Sequence, residues 1–192
     1  EDLGTIEFYT GVEWRPVGSY DGSGRGRAVF AGGYILYSPA TFSQVIDFVN
    51  IASTGNAINF GELDTGKYMD MGGYADTTRG IFVGGYKNTF GTSGNNEMHY
   101  ITIASTGNSI DFGDLSENVN NDGPSCASSS TRGIDAGGYS GNAIGYVQIQ
   151  TLGNALDFGD LNTSRFIDAA MTSPTRAVFA GGGPGSGSKS MQ

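Results

Sequence analysis

The sequence predicts an all-β protein built from repeats of short strands, and three observations carry that prediction. Glycine is abundant, with 33 residues against 5 prolines, and only 15% of the chain is charged. That balance suits many strands joined by tight turns, because glycine supplies the positive φ angles that turns use. No long stretch places apolar residues at i, i+3, i+4 and i+7, whereas short alternating runs such as Tyr100-Ile101-Thr102-Ile103 recur. Above all, one phrase is written three times: VNIASTGNAINFGEL at 49–63, ITIASTGNSIDFGDL at 101–115 and VQIQTLGNALDFGDL at 147–161.

From the start of the chain, GTIEFYTGVEWRPV (4–17) reads as strand, turn, strand, so residues 1–24 are expected to form a β-hairpin or connector. Repeats occupy 25–192. Each opens on an arginine and an apolar strand ending in paired glycines: RAVFAGGY (27–34), RGIFVGGY (79–86), RGIDAGGY (132–139) and RAVFAGGG (176–183). The Arg-to-Arg spacings of 52, 53 and 44 set repeats at about 27–78, 79–131 and 132–175, with a partial one at 176–192.

In the second repeat GIFVGG (80–85) is the first strand, and a variable loop follows it. MHYITIA (98–104) is the second strand, STGN (105–108) is expected to turn the chain, and SIDFG (109–113) returns with Ile110 and Phe112 on one face. Gly107, like Gly55 and Gly153 in the sister copies, stands where a tight hairpin wants a left-handed residue. CASSSTR (126–132) is expected to close the repeat as a fourth strand. Four strands in a period of this length describe a β-propeller blade.

The order of residues within the repeat resembles the kelch family, in which an apolar strand ending in Gly-Gly precedes a Tyr, a Trp and a closing Arg. Gly84-Gly85, Tyr100, Phe112 and Arg132 stand in that order. So do Gly32-Gly33, Phe48, Phe60 and Arg79, and again Gly137-Gly138, Tyr146, Phe158 and Arg176. Phe replaces the Trp each time, which makes the pattern a divergent one. The wording YITIASTGN, DFGDL, SSSTRG and GGY, together with the opening hairpin, is similar to repeats in virion structural proteins of tailed phages of marine cyanobacteria.

The resemblance implies a kelch-like β-propeller segment of about three four-stranded blades plus an extra strand. It also implies a non-enzymatic tail, fibre or capsid-appendage component, located in the virion and extracellular when mature. Other virion proteins and copies of the same chain are the implied partners, with a host-surface glycan or receptor as a further contact. Two alternatives are a host-glycan adhesin and a propeller glycan hydrolase. Repeated hairpins are fewer than glycine-pair strands, and a closed ring needs about four to eight blades. The shortfall predicts that further polypeptide or partner chains complete the structure, and that an isolated monomer with open strand edges is poorly stable.

Composition narrows the function further. A formal charge of −9 with ten basic residues argues against nucleic acid, whose binding draws on clustered Lys and Arg. No apolar run approaches the roughly 20 residues that span a bilayer, so membrane insertion is not expected, and no basic-then-apolar leader opens the sequence. One cysteine, Cys126, excludes an intrachain disulfide and a cysteine-only metal cluster. One histidine, His99, cannot assemble the ligands of a copper oxidase site.

No cofactor is expected. DGSGRG (21–26) and GGGPGSGSKS (181–190) lack both the Gly-Lys-Ser/Thr ending of a phosphate loop and a following helix, and NNDGPS (120–125) lacks EF-hand spacing. His99 is read as a polar residue at a strand entry, equivalent to Asp47 and Gly145, and Cys126 as a small buried side chain.

The phase-locked charges are the first candidate site. Arg27, Arg79, Arg132 and Arg176 are four of the seven arginines, and Glu62, Asp114 and Asp160 share one position in the FG[DE]L copies. They could ring a channel as ligand-binding charges. The favoured reading is structural: each Arg uses its donors on a carboxylate or on strand carbonyls to fix blade register. Catalytic carboxylate pairs normally break repeat symmetry, while most acids here follow it or lie in polar loops such as Asp21 and Asp122. Variable loops after Gly-Gly are the natural place for recognition. Tyr34, Tyr37, Phe42, Tyr86 and Phe90 are therefore candidates for an aromatic contact surface, or else pack over blade edges.

Overall fold

The computed structural model describes residues 7–9, 14–16, 26–37, 40–64, 66, 68–87, 95–116, 123–138, 141–165 and 167–183. Phe90, Asp21, Asp122 and the glycine-rich stretch from 184 onward lie outside the described residues, as does the side chain of Tyr37. Among the described residues every regular element is a strand.

β1 (Glu7–Tyr9) and β2 (Trp14–Pro16) pair antiparallel with Phe8 opposite Arg15. Next come β3 (Arg27–Ala31), β4 (Tyr34–Tyr37), β5 (Ala40–Phe42), β6 (Val45–Asn50), β7 (Ile58–Glu62) and β8 (Tyr68–Met69). The second set is β9 (Gly72–Ala75), β10 (Arg79–Val83), β11 (Tyr86–Lys87), β12 (Glu97–Thr102) and β13 (Ile110–Asp114). β14 (Ser125–Ser128), β15 (Arg132–Ala136), β16 (Ala143–Gln148) and β17 (Leu156–Asp160) follow, then β18 (Ala169–Ser173) and β19 (Arg176–Ala180).

Four antiparallel sheets carry the repeat: β3-β6-β7, β9-β10-β12-β13, β14-β15-β16-β17 and β18-β19, called first to fourth below. The short pairs β4-β5 and β8-β11 lie outside them.

The sheets are phased one strand away from the repeat as the arginines mark it. The Cys126 segment does not close the preceding hairpin. As β14 it pairs with β15, the arginine strand that follows, with Ser125 opposite Ala136 and Ser128 opposite Gly133. β9 pairs with β10 in the same way. The local turn decides this: Ser129 N–H donates to Arg132 O at 2.9 Å, and the Arg132 N–H donates back to Ser129 Oγ at 3.1 Å. A hairpin this tight outcompetes pairing across the longer connection from β13.

Each arginine strand ends in two glycines at positive φ, for example Gly84 at +62° and Gly85 at +90°. Side chains rarely tolerate that conformation, which accounts for the repeated Gly-Gly.

The hairpin reversal also differs from the sequence reading. It occurs at Thr102–Ser105, where Ser105 N–H donates to Thr102 O at 3.2 Å, and at Gln148–Thr151, closed by a 3.0 Å bond. Gly107, with φ of +158°, is close to extended, so Thr106-Gly107-Asn108 is a straight segment beyond the turn rather than the turn itself.

Apolar faces meet between sheets. Ile46, Phe48, Phe60, Leu63 and Tyr68 pack with Ile101 of the second sheet. Ile81, Val83, Met98, Phe112 and Leu115 pack with Val147, Ile149 and Ala155 of the third. Ala127, Ala136 and Leu161 meet Phe179 of the fourth. Each large side chain so enclosed contributes about 1.5–3 kcal/mol relative to exposure.

Candidate functional site

The repeated residues converge on the junctions between sheets. Arg27 Nη1 donates to Ile103 O at 2.8 Å, and Arg79 Nη1 donates to Ile149 O at 2.9 Å, so each arginine reaches the hairpin of the next sheet. Each guanidinium also lies over an aromatic ring of its own sheet: Arg27 over Phe48 at 4.5 Å, Arg79 over Tyr100 at 4.4 Å and Arg132 over Tyr146 at 4.6 Å. Those rings in turn meet Phe60, Phe112 and Phe158 edge-on at 5.9, 6.2 and 6.0 Å. Arg, aromatic and Phe therefore form one column in each of the first three sheets, and in the first two the planar guanidinium stacks and donates at once. Arg176 is exposed in the fourth sheet.

The Gly-Asn segments make the second tie. Gly107 N–H donates to Phe60 O at 2.8 Å and Ser109 N–H to Glu62 O at 2.9 Å, while Asn108 Oδ1 accepts from Glu62 N–H at 3.1 Å. One junction later the pattern recurs. Gly153 N–H donates to Phe112 O at 2.9 Å and Ala155 N–H to Asp114 O at 2.7 Å, with Asn154 Oδ1 accepting from Asp114 N–H at 3.1 Å. The segment acts as a brace laid along the last strand of the preceding sheet.

This contact explains the glycine of FG[DE]L. A Cβ on Gly61 would sit 2.1 Å from Gly107 O, and one on Gly113 would sit 2.6 Å from Gly153 O, so neither position accepts a side chain. At Glu62 and Asp114 it is the backbone that makes the tie; the Glu62 carboxylate accepts separately from Gln44 Nε2 at 2.8 Å. Asp160 is exposed, and Gly55 has open space around it.

His99 is a correction to the sequence reading. Rather than a polar residue at a strand entry, it lies within β12 and is 1% exposed. Its Nδ1 is 2.6 Å from Asp64 Oδ1, off the line of a straight hydrogen bond, and its Nε2 is 3.0 Å from the Tyr68 hydroxyl. Tyr68 donates to Glu97, which also accepts from Lys87 Nζ at 2.6 and 2.7 Å. Because Tyr68 gives its one proton to Glu97, Nε2 is the donor to Tyr68. The chain Asp64–His99–Tyr68–Glu97–Lys87 ties β8 and β11 to the second sheet. Chemically it is a linked set of acid and base groups. Among the described residues no group of three His, Cys, Asp or Glu side chains is arranged to hold a metal ion.

A second departure from repeat symmetry sits between the second and third sheets. Asp135 stands where Phe30, Phe82 and Phe179 stand in the other copies, and it is 6% exposed. Burial pushes its carboxyl up to about 6, against the opposing pull of hydrogen bonds from its own N–H and that of Gly145. Cys126 lies directly across the ladder from it. Its thiol faces Gly72, where a Cβ would come within 2.5 Å of Sγ, and burial followed by the Asp135 charge raises its pKa. Such a thiol is a packing group rather than a nucleophile.

Of the five candidate aromatics the structure describes the side chains of Tyr34, Phe42 and Tyr86. Phe42 is 1% exposed and packs against Tyr34 with ring centres 5.9 Å apart. Tyr34 and Tyr86 are half-buried. Two signals in the sequence pointed to residues that were passed over. Asn follows Gly in all three phrases, marking the brace, and the shared Phe position breaks to Asp at 135, marking the buried acid.

No protein-family model and no curated protein sequence matches this chain. Solved structures do match. One, described as the structure of YjhT, superposes with a TM-score of 0.65 at 11% identity over 82% of this chain. The likeness places the architecture with β-propeller-type proteins. The chain spans 56% of that structure's length. At such low identity the likeness concerns the fold alone.

Proposed function

We propose that the protein is a non-enzymatic, kelch-like β-propeller segment serving as a structural component of a phage virion, in the tail, a fibre or a capsid appendage. The observation that carries the reading is the use made of the repeated residues. Arg27, Arg79, Gly61, Gly113, Asn108 and Asn154 all serve contacts between one sheet and the next. A chain whose recurrent positions build junctions, while its loops differ, is suited to rigid display rather than turnover.

The virion assignment itself rests on the likeness of its repeat wording to phage structural proteins. Partners are then other virion subunits and copies of this chain, with the variable loops facing them or the host surface. Burial of Phe42 counts against the adhesin reading, because it removes a ring from the candidate glycan platform.

Peptide mass spectrometry on density-purified particles from the source sample tests the proposal. Peptides of this chain at structural-protein abundance are expected in clean particles. Their absence from particles, with presence in the cellular fraction, overturns the virion role.

A further inference from the structure

The trailing face of the third sheet repeats the sequence that receives a brace at the two internal junctions. Phe158, Gly159, Asp160 and Leu161 follow the order of Phe112, Gly113, Asp114 and Leu115. Gly159 has φ of +138°, matching Gly113 at +139°. A Cβ on Gly113 would strike the Gly153 carbonyl at 2.6 Å, whereas one on Gly159 would meet nothing within 4 Å. Phe60 and Phe112 are 3% and 2% exposed; Phe158 is 53% exposed. Arg132 stacks on Tyr146 as Arg79 does on Tyr100, but among the described residues no hairpin carbonyl receives its donors. A groove of about 550 Å³ runs along this face to β18–β19, lined by Arg132, Ile134, Ile144, Phe158, Arg176 and Phe179 among others.

We propose that this groove is the docking site for a β-hairpin whose turn is followed by Gly-Asn. Its first strand pairs with β19, as β16 pairs with β15. Its Gly N–H bonds to Phe158 O and the next-but-one N–H to Asp160 O, while the Asn side chain accepts from Asp160 N–H. An apolar residue at the position of Ile101 or Val147, which share the clusters of Phe60 and Phe112, covers Phe158. The occupant is identified by continuity with the two junctions already formed, since both use this chemistry.

An intact second copy is not that occupant. Its first hairpin is already paired with β3, and β3 would fall where β19 lies, both strands having the sequence RAVFA. The inference depends on junction geometry and is independent of the virion reading, so either can fail alone.

The test is titration of the full chain with a synthetic peptide of residues 97–115, EMHYITIASTGNSIDFGDL. Saturable one-to-one binding is expected, with slowed hydrogen exchange at the Asp160 amide. An Asn108→Ala peptide should bind about 5-fold more weakly, the loss of one hydrogen bond. Gly107→Pro, which removes the brace's first donor, should abolish binding. Replacing the exposed Phe158→Asp in the protein should weaken the parent peptide by at least about 10-fold. Absence of binding at millimolar peptide overturns the proposal, as does binding indifferent to Asn108 and Gly107. Self-association that shields Phe158 and excludes the peptide would make a second copy the occupant, and would equally overturn it.

Discussion

Gly61→Ala adds one methyl group at a position where the backbone is not held at positive φ, so its effect is steric. The new Cβ would fall 2.1 Å from Gly107 O, 2.5 Å from Gly107 C and 2.9 Å from Asn108 N, all backbone atoms that no rotamer change can move away. The brace must lift from β7. Lifting it breaks the bonds from Gly107 N–H to Phe60 O and from Ser109 N–H to Glu62 O, and that from Glu62 N–H to Asn108 Oδ1. At about 1 kcal/mol each, the loss is about 3 kcal/mol. Gly55→Ala makes the same chemical change where nothing lies within 4 Å, and is expected to cost no more than about 1 kcal/mol. Urea unfolding of both variants, followed by tryptophan fluorescence and circular dichroism, reads the difference. Equal midpoints for the two variants would refute the brace as a stabilising contact.

Four further outcomes follow from the structure. The Asp135 carboxyl is raised to about 6 in the folded chain, against about 3.9 when unfolded. The folded state therefore keeps the proton over that window, and stability falls as pH rises through it. Asp135→Asn should match the parent near pH 4 and exceed it by about 2–3 kcal/mol at pH 7, measured by urea titration at each pH. Arg79→Lys loses the planar stack on Tyr100 and the aligned bond to Ile149 O, and should lower stability by about 1–2 kcal/mol. Arg176→Lys, at an exposed position, should change it by under about 0.5 kcal/mol in the same assay. Tyr68→Phe removes the hydroxyl joining buried His99 to half-buried Glu97, at a cost of about 1–3 kcal/mol on chemical denaturation.

The all-β class was legible because alternation and glycine pairs report backbone geometry directly. Periodicity also located the arginine strands, whose positions match β3, β10, β15 and β19. Sheet phase was not legible. CASSSTR has no apolar alternation to show which neighbour it joins, and the Ser129 turn that decides it depends on side-chain hydrogen bonds. STGN carried the composition of a tight turn, so its extended course was hidden; the reversal lies in residues with no turn signature.

His99 was misread because a single residue gives no partner, and Asp64, Tyr68, Glu97 and Lys87 come together only when β8 and β11 pair. Phe42 looked like a loop aromatic because strand β5 is short, and its burial depends on elements distant in sequence.

Amide hydrogen exchange, resolved residue by residue, tests most directly whether the repeated phrase builds junctions. Gly107, Ser109, Gly153 and Ala155 donate across junctions and should exchange slowly, while the equivalent Gly55 and Ala57 of the first phrase, exposed in the structure, should exchange at least about 100-fold faster. Equal protection across the three phrases would contradict the account, because the hydrogen bonds would then belong to each hairpin alone.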